Sequence, residues 1–188
     1  MIMTAANIPN FELLLASHYV DGQPKLVFLD WLTADDAHAA EQDSKSLGKL
    51  KKHYRLTDDD ITFIQVNSLS KENDLQDLLL TAIQQLNDYA AGNLATFELP
   101  LDISMGTAFQ QRVWRALQAI PYGQTISYAQ LAANIGQPTA FRAVANANGK
   151  NPFSIVIPCH RVIASGGGLG GYTGGLDKKR YLLDIEAS

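Results

Sequence analysis

Residues 107–150, TAFQQRVWRALQAIPYGQTISYAQLAANIGQPTAFRAVANANGK, hold three helical patterns separated by two breaks. In TAFQQRVWRALQAI, Phe109, Val113, Leu117 and Ile120 fall on one face at helical spacing, and Thr107 stands where a cap is needed. PYGQTI then interrupts the chain. Ser127 opens SYAQLAANIG with Gln130 three residues later, the capping-box spacing, and Gly136 closes it. QPTAFRAVANANGK follows, with Pro138 expected at the first helical position and Gly149 past the end. Two short helices joined by a turn containing Gly and Pro make a helix-turn-helix candidate. An ordinary α-hairpin is the alternative use of the same pattern. The second helix is thin, because Ala140, Ala143, Ala145 and Ala147 give it small side chains and Arg142 is its one long cation. It offers few groups to read major-groove base edges, and suits close backbone approach in a narrow minor groove.

Charge separates this region from what precedes it. Residues 1–100 carry 7 basic and 15 acidic side chains, whereas residues 101–188 carry 8 basic and 4 acidic ones, so the halves stand at −8 and +4 within a chain of net −4. A basic half suits a phosphate-bearing partner, which the whole-chain charge would conceal. With 188 residues and 46% apolar content the chain can bury a sizeable core. No apolar run reaches the roughly 20 residues that span a bilayer, and the N-terminal stretch lacks the pattern of a signal peptide. A single cysteine excludes an internal disulfide and a multi-cysteine zinc site. We expect a soluble, intracellular protein of a reducing, cytoplasmic compartment.

In the first half, FELLLASHYV and KLVFLDWL flank DGQP, which has hairpin-turn chemistry, and ITFIQVN reads as a third strand. The intervening TADDAHAAEQDSKSLGKLKKHYRL is helix-prone, with Gly48 as a weak point. NDLQDLLLTAIQQLNDYAAG repeats Leu75, Leu78, Leu79, Ile83 and Leu86 at helical spacing and stops at Gly92. The histidines of this half, His18, His38 and His53, are too scattered to argue for metal.

The chemistry is concentrated in NPFSIVIPCHRVIA, residues 151–164, which contains the only cysteine. Buried thiols are commonly inert core residues. Here SIVIP reads as a short strand ending rigidly at Pro158. His160 and Arg161 supply a base and a positive field that favour thiolate. Adjacent strand residues point to opposite faces, so contact between Cys159 and His160 requires a turn. Downstream, GGGLGG satisfies a dinucleotide-binding pattern formally, yet no acidic residue follows about 20 positions on, so a dinucleotide site is rejected. The glycines instead suit close approach to another backbone or a planar ligand, with Tyr172 and Thr173 as the useful side chains; a flexible surface loop is the alternative. DKKRYLLDIEAS reads as a terminal helix with Tyr181, Leu182 and Ile185 inward and Glu186 near enough to orient His160.

GTAFQQRVWRAL, IPYGQTISYAQLA, RAVANANGKNP, IPCHRV, GGYTGGL and YLLDIE together closely resemble the O6-alkylguanine-DNA alkyltransferase family. The resemblance implies an α+β protein: an N-terminal ribonuclease H-like α/β domain over residues 1–100, and a mainly helical DNA-binding domain with a helix-turn-helix over 101–188. It implies irreversible, single-turnover transfer of an alkyl group from guanine O6 in double-stranded DNA to Cys159, and leaves O4-alkylthymine open. In that scheme His160 takes the thiol proton through a water, Glu186 orients His160, and Asn151 is a hinge. Tyr128 protonates guanine N3, the backbone amide of Thr173 contacts O6, and Tyr172 and Val162 line the pocket. Arg142 fills the stack left by the rotated nucleotide, and Ala140, Ala143 and Ala145 share its groove-facing helix. The resemblance implies a monomer with no cofactor, no metal and no membrane partner. Phe141 and Ser154 depart from the small residue and the proline that many or some members carry there. A lesion-binding module without chemistry and an unrelated cysteine hydrolase are the competing readings; the first lacks the acceptor cysteine, and the second must turn over.

Overall fold

The computed structural model describes residues 1–9, 11–32 and 45–187. His38 and the rest of residues 33–44, the part of the polar stretch before Lys45, lie outside the described residues. The chain divides into two compact units, Met1–Ala90 with Glu98–Met105, and Ala91–Phe97 with Gly106–Ser188. Residues just past position 100 thus return to the first unit. Backbone bonds explain why: Leu26 N–H donates to Pro100 O and Asp102 N–H donates to Leu26 O, both at 2.9 Å.

The first unit is built on strands β1 (Ile2–Ile8), β2 (Phe11–Val20), β3 (Gln23–Trp31) and β4 (Thr62–Phe63) in the order β3-β2-β1-β4. The first three form an antiparallel meander, and β4 runs parallel to β1. Asp21 and Gly22 both take positive φ, 51° and 74°, the geometry whose twist matches the flanking strands, so DGQP does form the hairpin. Two elements differ from expectation. β1 was not anticipated, because IMTAANI lies beside Pro9 and mixes polar with apolar residues. Conversely, ITFIQVN yields only the two residues of β4 before a 3-10 turn at Val66–Ser68.

Helix α1 (Lys45–Tyr54) runs through Gly48, and its Leu47, Leu50 and Tyr54 pack with Met3, Ala16, Val27 and Phe28. Helix α2 (Asp74–Ala90) buries Leu75, Leu78, Leu79, Ala82, Leu86 and Tyr89 and packs against β1, β2 and β3. His18 and His53 are less scattered than the sequence implied: their rings meet Tyr54 edge-on at 5.2 and 4.6 Å. No group of three metal-ligating side chains occurs among the described residues.

The second unit contains α3 (Ala108–Gln118), α4 (Tyr128–Asn134), α5 (Phe141–Asn148), α6 (Leu176–Glu186) and a parallel pair, β5 (Ile126–Ser127) with β6 (Val162–Ile163). The capping boxes at Thr107/Gln110 and Ser127/Gln130 are both formed. Pro138 is not the first helical residue; it lies in the turn before α5, whose N-cap is Ala140. Trp114 donates from Nε1 to Ala147 O at 2.9 Å, tying α3 to α5 around a core that includes Val113, Leu117, Leu131 and Val144. No helix among the described residues is long and apolar enough to cross a membrane.

Candidate functional site

SIVIP is not a strand. Residues 154–157 form a turn with Ile155 at φ 72°, followed by one 3-10 turn at Cys159–Arg161. Asn151 holds this path together. Its Nδ2 donates to Ile157 O at 2.8 Å, Phe153 O at 3.2 Å and Cys159 Sγ at 3.2 Å, while its Oδ1 accepts from Phe153 N–H at 3.0 Å. A carboxamide that satisfies carbonyls on both sides of a turn fixes it, and an N–H aimed at sulfur favours the anionic form of that sulfur.

Cys159 opens onto a pocket of about 390 Å³ whose other polar lining groups come from Tyr128, Asn148, Tyr172 and Thr173. Ala145 and the backbones of Gly149 and Gly171 complete it. Tyr128 donates from its hydroxyl to Gly171 O at 3.3 Å. Burial, and then the charge of nearby Cys159, push the Tyr128 phenol up, so it stays protonated as a donor. The glycine-rich segment comes close here: a Cβ at Gly170, which has φ 68°, would stand 3.2 Å from the Tyr128 ring. Thr173 Oγ1 donates to Gly149 O at 2.9 Å, linking that segment to the end of α5.

His160 and Glu186 meet. His160 Nε2 lies 2.8 Å from Glu186 Oε1, and both side chains are almost wholly buried. Burial pulls the His160 pKa down, against the opposing pull of Glu186, which leaves a neutral imidazole. Neither residue lines the pocket, and Val162, expected to do so, is fully buried in β6 and also absent from its lining.

Arg161 plays a part that the sequence did not reveal. Its Nε and second terminal nitrogen donate to Glu186 at 2.9 to 3.1 Å, and its other terminal nitrogen donates to Ile120 O at 2.6 Å. The guanidinium charge is therefore taken up by Glu186. The cation that senses the thiol is Lys179, which is fully buried on α6 and donates from Nζ to Val162 O at 2.6 Å and to Leu169 O. Burial brings Lys179 down to about 8, against the pull of Cys159. The buried residues of α6 are thus Lys179, Leu182 and Glu186, whereas Tyr181 and Ile185 are half-buried. Nothing in DKKRYLLDIE marks one lysine among its neighbours as internal.

The other singled-out residues lie on α5 and its N-cap. Arg142 is exposed, with its guanidinium carbon 5.9 Å from the Phe141 ring centre, and Phe141 itself is 46% exposed. Ala143 is exposed, while Ala140 and Ala145 are half-buried.

An α+β protein with a thiol-lined pocket beside a pair of short helices defines a narrow class, and comparison with known proteins identifies it. Residues 108–188 match the family described as 6-O-methylguanine DNA methyltransferase, DNA binding domain. The methylated-DNA–protein-cysteine methyltransferase of Mycobacterium bovis is 56% identical over 107 residues, 57% of this chain and 64% of that protein. The protein of the same name from Methanosarcina acetivorans is 51% identical over 107 residues, 57% of this chain and 68% of that one. The Mycobacterium tuberculosis OGT, solved in complex with DNA, superposes with a TM-score of 0.73 at 38% identity, covering 100% of this chain and 93% of that one. The fold is shared with the O6-methylguanine-DNA methyltransferase of Pyrococcus kodakaraensis, TM-score 0.64 at 22% identity, covering 100% of this chain and 99% of that one. The chain belongs to the methylated-DNA–protein-cysteine methyltransferase family. In sequence, it spans a little under two thirds of the length of the mycobacterial relatives it matches.

Proposed function

We propose that this protein repairs O6-alkylguanine in double-stranded DNA by moving the alkyl group, irreversibly and once, to Cys159. The observation that carries this reading is the convergence on one pocket of the chain's only thiol and a protonated phenol, Tyr128, with His160 following the thiol directly in sequence and bonded to buried Glu186. Cys159 Sγ attacks the alkyl carbon, the carbon–O6 bond breaks, and its electron pair passes into the guanine ring. Tyr128 protonates N3 of the leaving base. The thiol proton passes to neutral His160, whose resulting charge Glu186 balances.

A duplex base cannot reach a thiol in such a pocket while stacked. Extruding it costs a few kcal/mol, which Arg142 offsets in part by entering the gap. We assign α4 and α5 to a minor-groove helix-turn-helix. The small Ala143 on the exposed side of α5, with Ala140 and Ala145 beside it, supports close approach to the groove. Tyr172 and Thr173 bind the flipped base, and Asn151 is the hinge between α5 and the thiol turn. Val162 acts through its carbonyl, which Lys179 holds, and not as a lining side chain. The reaction requires no cofactor or metal, and the protein acts as an intracellular monomer. In the first unit, a three-strand meander followed by a strand parallel to β1 supports a ribonuclease H-like topology.

The test is direct. After incubation with duplex carrying O6-methylguanine, peptide mass spectrometry should find one methyl group on Cys159, and progress should stop at one equivalent. An unmodified Cys159 sinks the proposal, and lesion binding without modification would favour the recognition module. Continued turnover would favour the hydrolase.

A further inference from the structure

Two large side chains stand together at the open start of α5. Phe141, its first residue, is 46% exposed, and the Arg142 guanidinium carbon lies 5.9 Å from its ring centre. Among the described residues no carboxylate pairs with Arg142. The core-facing side of α5 is already filled by Val144, Ala147 and Asn148, so the Phe141 ring adds little to the fold. Its direction is informative. Successive residues of a helix are turned by about 100°, which places Phe141 and Arg142 to either side of a line through Ala145 and Gly149. Both of those residues line the thiol pocket. The pocket side of α5 therefore carries only methyl groups and backbone near the thiol, and becomes bulky one turn, about 6 Å, further out.

We infer that Phe141 is a second unstacking residue, whose ring enters the minor groove beside Arg142 and stacks on the base pair that flanks the extruded nucleotide. This deepens the alkyltransfer reading above and rests on it. Removing one base from a stack uncovers the apolar faces of both its neighbours. A single guanidinium fills the gap but leaves apolar surface wet, and an aromatic ring covers such a face better. Apolar wedges of this kind hold base steps open in other minor-groove proteins. The contact with Arg142 keeps the two side chains side by side before DNA arrives. The small residues that follow let the helix backbone come close enough for a first-turn ring to reach between bases. Phe141 and Arg142 thus form a two-part plug, one part apolar and one charged.

Single-turnover methyl transfer from an oligonucleotide carrying O6-methylguanine, once as a duplex and once single-stranded, tests this with the full chain. Phe141→Ala should slow transfer from the duplex at least about fivefold, the lower end of what one base–aromatic stack is worth. It should leave single-strand transfer within about twofold, because no stack has to be held open there. A merely structural role for the ring would slow both alike. Either an equal fall on the two substrates or an undiminished duplex rate overturns the inference. A second measurement needs no variant: 2-aminopurine in the base pair beside the lesion should brighten when the unchanged protein binds, as it leaves its stacked neighbour. No brightening on either side of the lesion overturns the inference as well. Absence of transfer from both substrates by the unchanged protein overturns instead the alkyltransfer reading beneath it.

Discussion

Glu186 is the residue on which Arg161 and His160 converge. It takes hydrogen bonds from Arg161 through two nitrogens, contacts His160, and accepts from Gly123 N–H at 3.2 Å. Replacing one partner of a buried pair leaves the other charge uncompensated, which typically costs about 3–5 kcal/mol. Glu186→Gln should therefore lower stability in urea by roughly that amount and slow methyl transfer. Titration of the two buried bases adds a signature in pH. The His160 pKa lies below its ordinary 6.5, so the unfolded chain takes up the proton first and stability is lost as pH falls below about 6.5. Lys179, at about 8 against 10.5, releases its proton first in the folded chain, so stability rises between pH 8 and 10.5. Urea unfolding across pH measures both, and Lys179→Met should abolish the alkaline rise.

At the scale of elements, the turn that presents the thiol holds a β-branched residue where glycine would be comfortable. Ile155 has φ 72° and is 1% exposed. Truncation there has an inverted order: Ile155→Ala loses buried surface and keeps the backbone strain, whereas Ile155→Gly loses the same contacts and relieves it. The glycine variant should unfold later in urea than the alanine variant, by about 1 kcal/mol. The turn also shows where sequence reading stops. α2, α3 and α4 were legible, because apolar spacing, caps and terminal glycines agree locally. SIVIP was misread because a buried apolar run looks the same whether its backbone is extended or turned; what decides is Asn151, whose bonds to Phe153 and Ile157 no local pattern displays. Cys159, His160 and Glu186 could be named from residue order, while Lys179 and the Arg161 clamp could not. Their roles depend on burial, which neither the charged pattern of α6 nor the order of IPCHRV displays.

Across the whole molecule, the opposite net charges of residues 1–100 and 101–188, −8 and +4, confine the phosphate-facing surface to one half of the chain. Affinity for undamaged duplex should fall with salt through counterion release. Arg142→Ala should reduce the slope of log affinity against log salt by about one, if its guanidinium neutralises a single phosphate before the base is extruded. Binding measured over a series of potassium chloride concentrations gives that slope.

The exposed Ser165–Gly168 stretch has a consequence for how the protein can be taken apart. It lies between the thiol turn and α6, yet the two sides are joined by the Glu186 bonds to Arg161 and His160, by Lys179 to Val162 O, and by Tyr122 Oη donating to Ile185 O at 3.2 Å. The covalent chain there is not what assembles the centre. A protease site placed in this stretch should yield two fragments that stay associated and together still accept one methyl group, so that the protein can serve as a split reporter whose halves regain reactivity only when they meet.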